Sequence, residues 1–135
     1  MNTMAPDSIP DSKSPGQEHS SPPTQDYWVA VCTPEDTASD DDIAEILPTH
    51  LQWVRSVEDS NQLFLAGPLL SGPGVRRGSG IMIFRASDES AALDIANQDP
   101  FTTSGLRTFV LYHWQPNEGS LSLHLTLSDR RYEWR

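Results

Sequence analysis

Six apolar segments occupy residues 27–114, and their order restricts the fold more than any other feature of the chain. Runs rich in β-branched and aromatic residues alternate with runs whose apolar residues recur every three or four positions. The resulting order is strand, helix, strand, strand, helix, strand. Two short crossover helices between strands are typical of the split βαβ arrangement. We therefore predict an α+β, ferredoxin-like sandwich of one sheet and two helices.

Turn and capping residues set the bounds of these elements. Strands are predicted at residues 27–33, 62–66, 80–86 and 107–114, and helices at 48–60 and 88–98. The acidic run 35–45 is predicted to be a solvated loop because like charges repel, with a short helical turn at 41–46 as a further option. Pro48 is expected at the first position of one helix, and Ser87 at the N-cap of the other.

The segments that flank the predicted domain, residues 26–116, differ from it in composition. Residues 1–25 are rich in Ser, Pro, Asp and Gln and are predicted to be a disordered tail. Residues 117–135 form a C-terminal extension in which every second residue from 121 to 127 is leucine, as in an added strand. Such a strip is rarely left in water, so we expect it to lie at a subunit boundary.

Charge and composition exclude several classes of partner. The net charge is −10, but residues 1–45 hold ten acidic side chains against Lys13, whereas residues 46–135 are nearly neutral. Nucleic acid is not an expected partner, because phosphate binding needs clustered Lys and Arg. No apolar stretch is long enough to span a bilayer and no signal pattern is present, so we expect a cytoplasmic protein with no membrane partner.

A histidine and a carboxylate, each close to a proline, form the candidate catalytic pair. Because Pro48 and Pro100 mark helix ends, His50 and Asp99 are expected at helix termini, outside the packed apolar faces. Histidine exchanges protons near neutral pH, and a carboxylate partner would fix its tautomer. The structural alternatives are a solvent-facing histidine at a helix start and an aspartate that only initiates a turn.

Further candidates for substrate binding are aromatic, apolar or cationic. They are Trp28, Arg76, Met82, Phe101 and His113. The apolar members suit an aromatic ligand and equally a core. Arg76, Arg77 and Arg107 are candidates to anchor a carboxylate or phenolate, although solvated surface arginines are commoner. No two histidines have metal-site spacing, and Cys32 is predicted to be a buried small hydrophobe, so neither a metal nor a cofactor is expected.

Five short motifs in fixed order give the chain a resemblance to a known family. They are Pro48-Thr49-His50-Leu51, Leu63-Phe64-Leu65-Ala66-Gly67-Pro68, Gly78-Ser79-Gly80, Ser87-Asp88-Glu89-Ser90-Ala91 and Asp99-Pro100-Phe101. Over about residues 27–114 the chain resembles the YCII-related family of the dimeric α/β barrel superfamily. The resemblance implies a homodimer whose two sheets close a barrel, with a pocket in each protomer lined by His50 and Asp99. Leu47 stands where the family often has an arginine, so that position is not expected to recognise an acidic group.

Two functions fit this sequence. The first is a cofactor-independent lyase or isomerase acting on a small cyclic or aromatic metabolite, a chemistry that the resemblance suggests. His50 would remove a proton from carbon next to a carbonyl or phenol, Asp99 would orient the imidazole, and the closed barrel would keep the pocket dry. Dehydration, elimination, a double-bond shift or cyclisation would follow. The second is a non-catalytic metabolite-binding or accessory module that uses the same pocket. The approach of His50 to Asp99 discriminates between them.

Overall fold

The structure, a computed structural model, describes residues 27–134, and the predicted disordered tail lies outside them. The elements are β1 (Tyr27–Pro34), α1 (Asp40–Asp59), β2 (Leu63–Pro68), β3 (Gly80–Arg85), α2 (Glu89–Ala96), α3 (Pro100–Thr103), β4 (Arg107–Trp114), β5 (Leu123–Thr126) and β6 (Arg131–Trp134). The predicted order of strands and main helices in the domain is therefore confirmed. The short helix α3 was not predicted.

The first four strands form one antiparallel sheet in the order β2-β3-β1-β4. With α1 and α2 as the crossovers, this order is that of a ferredoxin-like α+β sandwich, which confirms the predicted fold class. In the central strand, Trp28 lies opposite Phe84 on one side and His113 on the other. Because side chains alternate between the two faces of a sheet, this register determines which side chains point toward the helices.

The helix-facing side of the sheet forms the main core. Its buried members are Ala30, Cys32, Val57, Leu63, Met82, Phe84, Ile95 and Ala96. Cys32 is buried as predicted. Burial raises the pKa of its thiol, against the opposing effect of the Arg107 charge. Cys32 therefore remains a protonated, apolar packing residue at neutral pH.

Helix α1 begins eight residues earlier than predicted. The interpretation of 35–45 as a loop therefore holds for residues 35–39 and was wrong for residues 40–45, where the optional turn at 41–46 is part of a longer helix. Ser39 caps the helix: its side chain accepts from the N–H of Asp42, and the Asp42 carboxylate accepts from the N–H of Ser39. The carboxylates of the first turn lie at the positive end of the helix dipole, which outweighs their mutual repulsion. Pro48 lies inside the helix, where no bond to the Ala44 carbonyl can form.

Asp88, rather than Ser87, caps α2, and its carboxylate accepts from the N–H of Ala91 at 2.8 Å. The helix ends at Ala96. A new helical turn, α3, then starts with Pro100 in its first turn and Asp99 as its N-cap. Pro100 thus begins α3, and it also disfavours a helical conformation at the preceding residue, Asp99.

The other face of the sheet is apolar and has no cover within the described protomer. Leu65, Val110 and Tyr112 on this face are about half exposed. They adjoin half-buried Val31 and Ile83. An exposed apolar face of this kind is what the predicted sheet-to-sheet dimer requires, and the dimer itself stays a prediction.

The C-terminal extension forms a hairpin of its own, in which β5 pairs only with β6. Leu123 lies opposite Trp134, and Leu125 lies opposite Tyr132. All four side chains are more than half exposed. An isolated two-stranded hairpin is marginally stable in water, so this apolar row lacks a partner within residues 27–134.

Candidate active site

A cavity of about 470 Å³ lies between α1 and the helix-facing side of the sheet, near the edge strand β2. Its walls combine α1 with the end of β2, the start of β3 and the loop that joins them. Apolar side chains form most of the lining: Ile43, Leu47, Leu51, Val54, Met82 and Phe101. The cavity is therefore suited to a small molecule with apolar surface.

Helix α1 places His50 in this cavity. Residues 43, 47, 50, 51 and 54 line the cavity because they share one face of a helix with 3.6 residues per turn. His50 is 9% exposed and lies in the middle of the helix. The expected position in the first turn of the helix was wrong, because the helix starts at Asp40. The structural alternative of a solvent-facing histidine is not what the structure has either.

Asp99 is 3% exposed and lies in the turn between α2 and α3. Its Oδ1 is 2.8 Å from Nδ1 of His50 and also accepts from the N–H of Phe101 at 2.9 Å. The N-cap hydrogen bond from Phe101 thus fixes the orientation of the Asp99 carboxylate that contacts His50. The structure brings the two predicted residues within hydrogen-bond reach.

Arg107, the first residue of β4, completes the cluster. Its guanidinium donates to Oδ2 of Asp99 at 2.6 Å and to the carbonyl of Gly78 at 3.1 Å. It also lies over the ring of Phe101, with 4.7 Å from Cζ to the centroid. At 6% exposed, Arg107 corrects the expectation of a solvated surface arginine. Each carboxylate oxygen of Asp99 therefore contacts a different side chain: Oδ1 contacts His50, and Oδ2 contacts Arg107.

These contacts decide the ionisation of Asp99. Burial is the largest single influence and raises its pKa, but the hydrogen bond from His50, the Arg107 charge and the Phe101 N–H together hold the pKa below its ordinary value. The carboxylate is therefore ionised at neutral pH and can only accept hydrogen bonds. It follows that Nδ1 of His50 carries the proton in this pair, leaving Nε2 with a free lone pair in the neutral ring.

No residue within 27–134 bonds Nε2 of His50. Among the side chains of these residues, Nε of Arg107 is the one buried nitrogen or oxygen that has no hydrogen-bond partner. Since Nε2 of His50 also has no partner, it is not a buried atom and is accessible from open space. The ring of Phe101 lies 4.6 Å from the imidazole, tilted by 37°. His50 thus presents one accessible nitrogen to the cavity, while its other nitrogen is fixed by Asp99.

The remaining predicted binding residues divide into two groups. Met82 and Phe101 border the cavity. Trp28, Arg76 and His113 do not: the indole of Trp28 stacks on His113 with centroids 4.2 Å apart and donates to the Ala86 carbonyl. Arg76 donates to the carbonyls of Glu35 and Ala38, which ties the β2–β3 loop to the connection between β1 and α1. Its role there is structural.

The sequence interpretation named Arg107 as a candidate anchor for a substrate anion and missed its role as the buried partner of Asp99. A usable signal was present, because alternation along the correctly predicted strand puts Arg107 on the same face as Phe109 and Leu111. Buried Ser79 also borders the cavity, and its hydroxyl accepts from the Arg76 N–H at 3.2 Å. Its hydroxyl therefore stabilises the turn of the β2–β3 loop.

The pair lies on the helix side of the sheet. Within the described protomer His50 is 9% exposed and Asp99 is 3% exposed, so much of their shielding comes from their own protomer. The barrel closed by two sheets stays a prediction. Within residues 27–134, no three His, Cys, Asp or Glu side chains form a cluster that could hold a metal ion. No helix in that range has both the length and the apolar character needed to cross a bilayer.

A ferredoxin-like sandwich with a small-molecule cavity beside its sheet defines the structural class. Within that class, the chain belongs to the YCII-related family, whose domain model matches residues 27–115. This match confirms the resemblance found in the sequence motifs. Among curated proteins, no match was found.

One similar solved structure is the 5-chloro-2-hydroxyhydroquinone dehydrochlorinase (TftG) from Burkholderia phenoliruptrix AC1100, in complex with 2,5-dihydroxybenzoquinone. The two chains are 18% identical, with a TM-score of 0.54, over 65% of this chain and 92% of that chain. That protein has the dimeric α/β barrel fold. At this identity the similarity establishes the fold.

Proposed function

We propose that this protein is a cofactor-independent lyase or isomerase acting on a small cyclic or aromatic metabolite, with His50 as acid/base and Asp99 as the residue that orients it. The observation that carries the proposal is the 2.8 Å hydrogen bond between Nδ1 of His50 and Oδ1 of Asp99 beside an apolar cavity. It leaves Nε2 free to accept a proton.

In the proposed step, Nε2 takes a proton from a carbon next to a carbonyl or phenol carbon. The electron pair of the broken C–H bond forms a new double bond, and in an elimination the leaving group departs with its own electron pair. The imidazolium then returns the proton to the leaving group, to another carbon or to water. Ionised Asp99 stabilises the imidazolium during this cycle, and Arg107 keeps Asp99 ionised.

The size of the cavity and the similar structure both support a ring substrate. A closed apolar cavity of about 150 Å³ is enough to hold benzene, so about 470 Å³ admits a ring with substituents. The similar dehydrochlorinase acts on a chlorinated hydroxyhydroquinone. We extend that substrate class, substituted phenols, to this protein, and add cyclic ketones because the same proton abstraction next to a carbonyl would apply to them.

The test is proton exchange at carbon as well as full turnover. Full-length protein is incubated in D₂O with 5-chloro-2-hydroxyhydroquinone and a panel of cyclic ketones and phenols, and NMR follows C–H loss while an electrode follows chloride. We expect exchange or elimination that disappears in His50→Ala. Binding without exchange or turnover across the panel would instead support the non-catalytic metabolite-binding module.

A further inference from the structure

The cavity wall has an uneven charge. Its charged residues are Arg77 and Arg107, and it contains no carboxylate among the residues that border it. The charge of Arg107 is compensated by Asp99 behind the wall, which leaves Arg77 as the uncompensated cation. This contrasts with the chain as a whole, whose net charge is −10. A cleft with cations and low-dielectric walls concentrates anions. The cavity therefore favours an anionic ligand.

The two arginines differ in what they bind. The Arg107 guanidinium is committed to Asp99 and to the Gly78 carbonyl. Arg77 is exposed and has no hydrogen-bond, ion-pair or ring partner within residues 27–134. A guanidinium without a partner keeps all five of its donors for an incoming oxygen anion, in a fork that matches a carboxylate.

The loop that carries Arg77 is held in place on both sides. Arg76 donates to Glu35 and Ala38 carbonyls at 3.0 and 2.8 Å, and Arg107 holds the Gly78 carbonyl at 3.1 Å. The residues before and after Arg77 are thus fixed to the domain. The backbone at Arg77 is consequently held at the cavity border, so binding of a ligand costs side-chain freedom of Arg77 and little ordering of the loop.

We infer that Arg77 determines substrate specificity by pairing with an anionic oxygen, a carboxylate or phenolate, on a ring compound bound beside His50. The inference rests on the proposed function and adds the charge of its substrate. The apolar wall would hold the ring, His50 would face the reacting carbon, and Arg77 would hold the anionic substituent. Neutral analogues of the same shape would bind more weakly because Arg77 gains no partner.

A matched pair of probes tests this inference without turnover. 4-Hydroxybenzoate and 4-hydroxybenzamide have nearly the same shape, and only the first is an anion at neutral pH. NMR titration of the full-length protein measures both dissociation constants. We expect the anion to bind at least tenfold more tightly, with a preference that falls as salt is raised.

The variants separate the charge of Arg77 from the net charge of the protein. Arg77→Gln should remove the preference for the anion while changing the affinity for the amide less than twofold, and Arg77→Lys should keep part of it. Arg55→Gln, an exposed charge on α1 away from the cavity lining, should behave as wild type. Thermal melting of each variant confirms that the fold is intact.

The inference is overturned if wild type binds neither probe, if it shows no preference, or if the preference survives in Arg77→Gln. Failure of the proposed function looks different. In that case the anion preference and its dependence on Arg77 remain, but no compound of the panel undergoes His50-dependent exchange or turnover.

Discussion

Nδ1 of His50 and Oδ1 of Asp99 lie 2.8 Å apart, although 49 residues separate them in the chain. His50 is in the middle of the 20-residue helix α1, which precedes the β2–β3 hairpin in the chain. Asp99 caps the single helical turn α3, which follows that hairpin. Both are buried. This contact makes the proposed chemistry testable by single substitutions.

Replacing His50 should abolish turnover with the fold retained. Positioned proton transfer is worth about 10²–10⁴-fold in rate, so His50→Ala should lose activity in that range. His50→Asn keeps a donor for Asp99 but cannot relay a proton, and should be equally inactive with less effect on stability. His124→Ala, on the exposed hairpin, is the control and should match wild type. Steady-state rates and thermal melting measure both effects; an active His50→Asn would place the acid/base group elsewhere.

Asp99 and Arg107 should show strong coupling in stability. Asp99→Asn leaves the buried Arg107 cation without its anion, and we expect a loss of about 3–5 kcal/mol, the range for breaking a buried ion pair. In the double variant Asp99→Asn/Arg107→Gln neither charge remains, so the loss should be smaller than the sum of the two single losses. Urea unfolding measures all four proteins. Additive losses would show that the 2.6 Å contact contributes little.

Acid should destabilise the protein partly through Asp99. Its pKa is below the ordinary value in the folded protein, so its contribution to stability is fully present above the unfolded-state pKa. That contribution is lost as the pH falls from about 4, the ordinary aspartate value, through the lower folded-state pKa. The free energy of unfolding should therefore fall more steeply with acid in wild type than in Asp99→Asn/Arg107→Gln. Parallel curves in this range would contradict the assignment.

The open face of the sheet should be the dimer interface. Val110 and Tyr112 are more than half exposed in the protomer and lie on the same face. Val110→Asp/Tyr112→Asp should convert a wild-type dimer into a monomer, because burying two carboxylates between the sheets is unfavourable. Gln52→Asp on exposed α1 is the control. Sedimentation velocity at micromolar concentration reports the mass, and a wild-type monomer would remove the barrel from consideration.

The C-terminal hairpin should be protected at a subunit boundary through its apolar row. Leu125→Asp disrupts the row that includes Tyr132, whereas His124→Asp changes the opposite face of the same strand. We expect limited proteolysis to trim the first variant faster than wild type and to leave the second unchanged. Rapid trimming of wild type, with the oligomeric state unaltered, would show that nothing covers the hairpin.

The sequence by itself determined the fold class and the domain strands, since the two-residue and 3.6-residue periods are local properties; β4 was predicted with its observed bounds. It also singled out His50 and Asp99 through short motifs. It could not place the start of α1, because the repulsion of Asp40 to Asp42 was weighed without the capping box that outweighs it. Only the tertiary structure decided that Arg107 is buried against Asp99, while Arg76 binds the carbonyls of Glu35 and Ala38. Which arginine finds a buried partner depends on groups 8 to 41 residues apart in sequence coming together in space, and no local pattern encodes those contacts.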